Sequence, residues 1–297
     1  MSKLLPIFSL MAGCVTAAGT APAAGGSSSA SAGVGSGADR PIMLDGLDAF
    51  VCGPNHGRGL SGLCDEGRLR VATYNLNYGL AGDPAGVAAV GALGADIVLL
   101  QEANDPWRDA FAATGAYPFT RFTPPTSWPA SGLGVLSRFP ITSVEALPGS
   151  PFDAWRIVIA SDRGPVQLLN VHLRPPMSDG GSWLVGYFTT RPIREAEIQR
   201  HVAALDPKLP TIVAGDFNEE LDGRAVAALF AHGFVDAVAR PTEPTWRWTL
   251  GGITMRFALD HILVDRRFAA RSSGVVDQGH SDHLPVWVDL WFAPAGA

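Results

Sequence analysis

The chain is short of positive charge. Its 22 lysines and arginines are outnumbered by 28 aspartates and glutamates, giving a formal net charge of −6. A protein that grips many nucleic-acid phosphates usually carries a stripe of lysine and arginine, and no basic cluster of that kind occurs in this sequence. There are only three cysteines, so at most one intramolecular disulfide is available. No apolar run reaches the roughly 20 residues that a membrane-spanning helix needs. No repeat of fixed short period occurs either, which removes the solenoid and propeller classes. What remains is a chain of 297 residues that is 47% hydrophobic and 17% charged. That is apolar enough for a large core and excludes a wholly disordered chain. The length corresponds to one or two domains of roughly 100–200 residues each.

The first residues read as a targeting segment. Met1-Ser2-Lys3 gives a positive start, and residues 4–13 form a short apolar run interrupted by Pro6 and Ser9. This fits the hydrophobic region of a signal peptide. The run ends in Met11-Ala12-Gly13-Cys14, which resembles a bacterial lipoprotein cleavage box with Met11 where leucine is usual. Residues 1–14 are therefore expected to be a lipoprotein-type signal, with membrane attachment through a lipidated Cys14. An ordinary signal cleaved near Ala17–Ala18 or between Ala21 and Ala24 is the alternative. Either way the protein is expected to be exported, as a cell-envelope lipoprotein or a secreted protein. Residues 15–39 are nearly all Ala, Gly, Ser, Thr, Val and Pro, a composition that cannot offset its own ordering entropy and reads as a flexible tether. Residues 40–67 form an N-terminal loop segment in which Cys52 and Cys64 are expected to pair in an oxidising compartment. With only His56 nearby, a zinc site lacks its fourth ligand.

From residue 69 the pattern alternates strands and helices. Strands are expected at 69–76, 96–101, 132–137, 156–160, 165–173, 211–214, 259–264 and 284–292. Helices are expected at 83–93, with Asp83 as N-cap and Pro84 in the first turn, at 191–205 and near 224–231. Residues 123–131 and 175–186 read as long loops.

Polar residues with metal-binding or acid–base chemistry cluster at the ends of these strands. Asn75 and Asn77 are two apart in Thr-Tyr-Asn-Leu-Asn, so the strand turns both to one side. Glu102 follows a run of apolar residues, where a carboxylate is costly unless paired or bound to a metal. His172 ends one strand, and Asp216 and Asn218 follow another in Gly-Asp-Phe-Asn. Asp260 interrupts an apolar run, with a structural ion pair to Arg256 as its bland alternative. Asp282 and His283 precede the last strand. His261 alternates away from Asp260 and reads as structural, as do His201, His232 and His280. Arg138 and Arg174 fit phosphate binding and surface solvation equally well. Trp246 and Trp248 alternate with Arg247, fit a strand lying beside the site, and read first as packing residues.

In order along the chain, Thr-Tyr-Asn-Leu-Asn, Leu-Gln-Glu, Asn-Val-His-Leu, Gly-Asp-Phe-Asn, Leu-Asp-His-Ile and Ser-Asp-His-Leu-Pro-Val resemble the successive motifs of the endonuclease/exonuclease/phosphatase superfamily. The resemblance spans roughly residues 68–292. It implies an α/β fold, a four-layer α-β-β-α sandwich with two packed mixed β-sheets, forming a phosphoesterase domain over 68–292. It implies hydrolysis of a phosphodiester or phosphomonoester by an activated water, with Mg²⁺ (or Mn²⁺/Ca²⁺) as cofactor. Glu102, Asn77 and Asp282 then correspond to the metal side. Asp216 corresponds to the residue that aligns or deprotonates the water. Asn75, His172, Asn218 and His283 correspond to the phosphate contacts, with His172 also a possible acid and Asp260 the partner that orients His283. Where some relatives carry Asp, Asn77 leaves one negative charge fewer for the cation. The implied partner is a phosphate-ester substrate; the sequence points to no protein partner, and a monomer is expected. Nuclease, phospholipase and phosphatase remain unresolved, and a non-catalytic surface-binding lipoprotein of the same fold is the alternative from another class.

The N-terminal reading is tested by mass. Intact-mass analysis of membrane-extracted protein should give a mature chain beginning at a lipid-bearing Cys14, and Cys14→Ser should block processing or release the protein into the soluble fraction. A lipid-free mass beginning after Ala18 or Ala24 would show free secretion instead.

Overall fold

A computed structural model describes residues 67–123, 128–149, 151–176, 183–240 and 243–293. The targeting segment with Cys14, the 15–39 tether and the Cys52–Cys64 pair lie outside the described residues. In chain order the strands are β1 (Leu69–Asn75), β2 (Ile97–Gln101), β3 (Phe119–Phe122), β4 (Leu133–Ser137), β5 (Ile141–Leu147), β6 (Ala154–Ser161) and β7 (Gly164–His172). They continue with β8 (Thr211–Asp216), β9 (Val235–Asp236), β10 (Trp246–Leu250), β11 (Ile253–Phe257), β12 (Asp260–Val264), β13 (Phe268–Val275) and β14 (Val286–Phe292). The helices are α1 (Pro84–Ala92), α2 (Asp105–Thr114), α3 (Trp183–Thr189), α4 (Arg191–Ala203) and α5 (Arg224–Ala231).

Two six-stranded mixed sheets result, one ordered β13-β14-β1-β2-β4-β3 and the other β5-β6-β7-β8-β12-β9, with β10 and β11 as a separate hairpin. Each sheet is built around one parallel pair, β1 with β2 and β7 with β8. The strands flanking each pair run antiparallel to it. Strict alternation within the strands explains the layering. Val71, Ile97, Leu99, Leu168, Ile212, Ala214 and Ile262 face inward and form one core between the sheets. The residues between them face outward. Ala72, Tyr74, Val98 and Leu100 pack under α1 and α2, and Leu169, Val171, Val213 and Leu263 pack under α4 and α5. Both faces of the central strands are therefore buried, which is why they read as continuous apolar runs rather than as alternating ones. The expected four-layer α-β-β-α sandwich is the observed one.

The departures from expectation have local causes. The anticipated 175–186 loop gives way to α3 at Trp183, where Trp183 and Tyr187, four residues apart, stack at 5.2 Å on one helix face. Pro192 in the first turn of α4 then separates the two helices. Residues 129–131 of the other expected loop form a 3₁₀ turn. Helix α2 escaped notice although Asn104 caps it through Trp107 N and Gly115 ends it in the left-handed conformation. Strand β8 runs two residues past Ala214, to Asp216 itself. No helix of the described residues is long and apolar enough to cross a membrane.

One buried group makes stability depend on pH. His201 of α4 is 2% exposed, and its Nδ1 has no hydrogen-bond partner. Burial, reinforced by Arg200 and opposed by Asp153, lowers its pKa from 6.5 to about 4. Between these values the unfolded chain binds the proton and the folded one does not, so this contribution is complete above the unfolded pKa and is lost as pH falls through the folded one. His201→Gln should therefore show a smaller drop in Tm than the parent between about pH 7 and about pH 4.5. An equal drop in both would remove His201 as the cause.

Candidate active site

The site is the end of the inter-sheet layer, where the inward-facing rows turn from apolar to polar. On β1 the inner row runs Leu69, Val71, Thr73, Asn75; on β8 it runs Ile212, Ala214, Asp216; on β12 it runs back from Val264 and Ile262 to Asp260. His172, Asp216 and Asp260 stand side by side in one register row across β7, β8 and β12. The parallel pairs bring their carboxyl ends here, with Asn75, Glu102, His172 and Asp216. Antiparallel β12 and β14 bring their amino ends, with Asp260, Asp282 and His283. Ligands of α/β sheets commonly bind at such strand ends.

Beneath this row the sheets are joined by buried amides. Gln101 Nε2 donates to Asn170 Oδ1 at 2.7 Å and to Thr73 Oγ1 at 3.1 Å. Asn170 Nδ2 donates to the carbonyls of Leu100 and Gly134. Breaking one of these would strand a buried polar group at a cost of about 1–3 kcal/mol, so they fix the spacing of the two sheets under the site.

The central strands end in the same turn. Asn77 N donates to Asn75 Oδ1 at 3.1 Å, and Asn218 N donates to Asp216 Oδ1 at 2.8 Å. In each, a side-chain oxygen captures the N–H two residues on, and that residue has positive φ, 60° at Asn77 and 53° at Asn218. The third non-glycine residue of positive φ among those described is Glu102, at 56°. Asparagine tolerates this conformation, whereas for glutamate it costs on the order of 1 kcal/mol. Such strain collects at functional sites. Gly215, at φ 148°, is obligatory for a further reason, since a Cβ there would lie 1.9 Å from the Val171 carbonyl oxygen.

One amide ties the carboxylates together. Asn75 Nδ2 donates to Glu102 Oε1 at 3.2 Å and to Asp216 Oδ2 at 3.0 Å. The opposite amide orientation would aim an oxygen at two carboxylates, so the nitrogen assignment follows from its partners. Glu102 Oε2 accepts from Tyr78 N. Asp282 accepts from Asn77 Nδ2 at 3.0 Å and from the Trp246 indole at 2.9 Å. Trp246 is thus more than packing, although it also stacks on Trp183 at 5.5 Å.

Asp260 Oδ2 bonds His283 Nδ1 at 2.8 Å and accepts from Thr245 Oγ1 at 2.7 Å, so His283 rather than Arg256 is its partner. His283 Nε2 and His172 Nε2 lie 3.6 Å and 3.5 Å from the same oxygen, Asp216 Oδ2. The two imidazoles are held in opposite charge states. For His283, burial opposes charge, but Asp260, Asp216 and the hydrogen bond His283 donates to Asp260 outweigh it and push the pKa up to about 10. For His172, burial dominates over Asp216 and the Ala130 carbonyl and lowers the pKa. At neutral pH His283 is an imidazolium and His172 is neutral, which suits His172 to contact rather than to proton donation. Burial raises the pKa of Asp216 against the pull of His283, and raises that of Glu102 against the Tyr78 and Asn75 donors.

Asn218 sits beside this cluster with its Nδ2 donating to the Leu173 carbonyl, leaving one amide N–H for a ligand. All the sequence-selected residues therefore converge. His261 lies on the other face, bonded to the Glu219 carbonyl at 2.8 Å. His280 pairs with Asp83 instead, and Arg138 pairs with Asp96 at the surface. The main-chain N–H of Arg174 donates to Glu197.

Sequence reasoning gave no role to several supports. Ser281 Oγ donates to the Asn75 carbonyl and accepts from His283 N, linking the two motifs. Arg194 and Glu219, both fully buried, pair at 3.0 Å. Arg194 also donates to the carbonyls of Arg174 and Tyr187, and Glu219 Oε1 caps the start of α5 through Ala225 N and Val226 N. This fastens the residue that follows Asn218. Ser281 was visible inside its motif, while nothing local marks Thr245 or Arg194.

The donor set fits a divalent cation. Glu102, Asp216, Asp260 and Asp282 meet one imidazolium, and among the described contacts no lysine or arginine side chain bonds their carboxylates. Asp216, Asp260 and His283 also offer ligand atoms within 4.8 Å of one another. Within that trio His283 Nδ1 already bonds Asp260 Oδ2, while Glu102 and Asp282 bring hard carboxylate oxygens to the same end of the sheets, with Asn77 Nδ2 on Asp282 Oδ1.

Two mixed sheets packed as an α/β sandwich thus gather carboxylates and imidazoles at one end of their strands. Residues 72–283 match the model of the Endonuclease/Exonuclease/phosphatase family, and the chain belongs to that family, whose members are generally metal-dependent phosphodiesterases and nucleases. Solved structures agree in fold. An endonuclease/exonuclease/phosphatase protein from Beutenbergia cavernae is 21% identical, with TM-score 0.60 over 77% of this chain and 72% of that one. A humanised D. rerio TDP2 is 14% identical, with TM-score 0.60 over 75% and 99%. D. rerio TDP2 complexed with single-strand DNA product is 13% identical, with TM-score 0.59 over 75% and 98%. No curated protein sequence matches the chain.

The 2.8 Å bond between His283 Nδ1 and Asp260 Oδ2 predicts that the two residues act as one unit. In a double-mutant cycle on kcat, Asp260→Asn with His283→Ala should be little worse than the worse single variant. Fully multiplicative losses would mean that the two act independently.

Proposed function

We propose that the protein is a divalent-metal-dependent phosphoesterase that hydrolyses a phosphodiester or phosphomonoester with an activated water. The observation that carries this reading is the Asn75 amide donating to Glu102 and Asp216 at once, which couples a carboxylate suited to a cation with one suited to a water. Glu102, with Asn77 and Asp282, would hold Mg²⁺ (or Mn²⁺/Ca²⁺). Bound there, such an ion supplies neutralisation and polarisation of phosphate oxygens.

The chain's own groups do the rest. Asp216 accepts from Asn75 and Asn218 N and faces both imidazoles, so its remaining lone pairs orient a water and draw off its proton. His283, kept protonated by Asp260, stabilises the charge that builds on the phosphate. His172 and Asn218 contact the phosphate as neutral donors. Thr245 holds Asp260 through three hydrogen bonds, from its Oγ1 to the carboxylate and to its Oγ1 from Leu259 N and Asp260 N. The features of residues 1–14 support export with Cys14 lipidated as part of the same reading.

The test is turnover of bis-p-nitrophenyl phosphate with Mg²⁺ or Mn²⁺, then with chelator. Activity should vanish on chelation and return with metal. Glu102→Gln should lose most activity, on the order of a hundredfold, and need more metal. Unchanged activity of that variant at limiting metal would sink the assignment.

A further inference from the structure

Alternation along β12 sends His261 to the face opposite Asp260, away from the site. It is nevertheless 1% exposed and touches both chain neighbours of a site residue. Its Nε2 bonds the Glu219 carbonyl at 2.8 Å, and its ring meets Phe217 edge to face at 5.3 Å and 74°. Phe217 and Glu219 flank Asn218. A carbonyl can only accept, so Nε2 carries the proton.

Asn218 sits at φ 53°, in the left-handed region that asparagine visits but does not favour. Such a conformation persists where the surroundings over-determine it. Two bonds close the turn from within: Asn218 N donates to Asp216 Oδ1, and Asn218 Nδ2 donates to the Leu173 carbonyl. Before it, Phe217 N donates to the Leu259 carbonyl at 2.9 Å. After it, the Glu219 side chain is fastened to α4 and α5 through Arg194, Ala225 N and Val226 N. The helices hold that side chain, while His261 ties the main chain of the same residue to β12.

We propose that His261 is a positioning residue: by holding Phe217 and Glu219 it fixes Asn218 in its left-handed conformation, and through that turn it aims the Asn218 amide and the Asp216 carboxylate. This rests on the phosphoesterase reading for what the aim accomplishes. Neighbouring residues of β12 then serve the site from opposite faces, Asp260 through His283 and His261 through the turn. A displacement of about 1 Å in a positioned group can cost about a hundredfold in rate, so losing one of several supports should cost on the order of tenfold.

The test uses the purified full chain with Mg²⁺ and bis-p-nitrophenyl phosphate. His261→Phe keeps a flat ring against Phe217 and removes the donor. His261→Gln returns an N–H donor close to the place of Nε2. Ile198→Val, in the core under α4, shows what lost stability alone does. The Phe variant should lose kcat on the order of tenfold, with a smaller change in KM. The Gln variant should regain most of that loss, and Ile198→Val should keep the parental kcat while lowering Tm. Amide exchange measured by NMR gives a readout independent of activity. In the Phe variant the Asn218 amide should exchange on the order of tenfold faster, whereas the Asn77 amide, in the matching turn after β1, should not change. Parental kcat in the Phe variant, a Gln variant no better than Phe, or Asn218 and Asn77 amides that respond alike would each overturn the proposal. A parent that hydrolyses no ester would sink the phosphoesterase reading, and the exchange rates would still decide whether His261 holds the turn.

Discussion

The side chain of Asn75 is the constraint on which the site depends. Its nitrogen holds Glu102 and Asp216, which sit on different sheets, and its oxygen holds Asn77 N. The two carboxylates would repel at this range without a donor between them. Placing one amide between them needs β1 and β8 at fixed separation, and the core supplies that. The inner rows of Val71, Ile97, Leu99, Leu168, Ile212 and Ile262 set the gap, and Gln101 and Asn170 bolt it from below. Each fully buried side chain of this size contributes on the order of 1.5–3 kcal/mol. A core of that extent tolerates a polar end and the strained positive-φ backbone of Glu102.

The same end of the sandwich sorts charge. His172 and His283 both face Asp216 Oδ2, yet only His283 has a second carboxylate behind it. Burial alone would neutralise both rings; Asp260 reverses this for one. An imidazolium and a neutral imidazole thus meet at one carboxylate oxygen, Asp216 Oδ2. Rigidity comes from farther out. The Arg194–Glu219 pair would cost more than it returns if either partner were removed alone. Intact, it ties α4, the Tyr187 carbonyl and the start of α5 to the residue after Asn218.

Much of this was legible before any coordinates. The inner strands could be read because both faces are buried, and the polar residues that end them stand out against apolar runs. Asp260 and Glu102 are conspicuous for that reason. Asn75-Leu-Asn77 and Asp216-Phe-Asn218 are visibly alike, although that they make the same turn is apparent only from the dihedral angles. The elements that went unread are shallow. β3, β5 and β11 are half exposed and carry mixed patterns, and α3 hid among glycines and prolines. The supports were illegible for a different reason. Arg194 and Glu219 are 25 residues apart, and Asn170 and Gln101 are 69 apart. Such pairings are decided by tertiary packing, and nothing in the local pattern announces them. The pairing of Asp260 with His283 was anticipated only through the family resemblance.

The coupling of the two halves through Asn75 is tested most directly by kcat of Asn75→Ala at saturating Mg²⁺, measured beside its apparent metal constant. The account predicts that the metal constant rises, because Glu102 loses a donor, and that kcat stays depressed even at saturation, because Asp216 loses one too. Full recovery of kcat at saturating metal would show that Asn75 serves the cation side alone, and the account of a single hydrogen-bonded unit would be wrong.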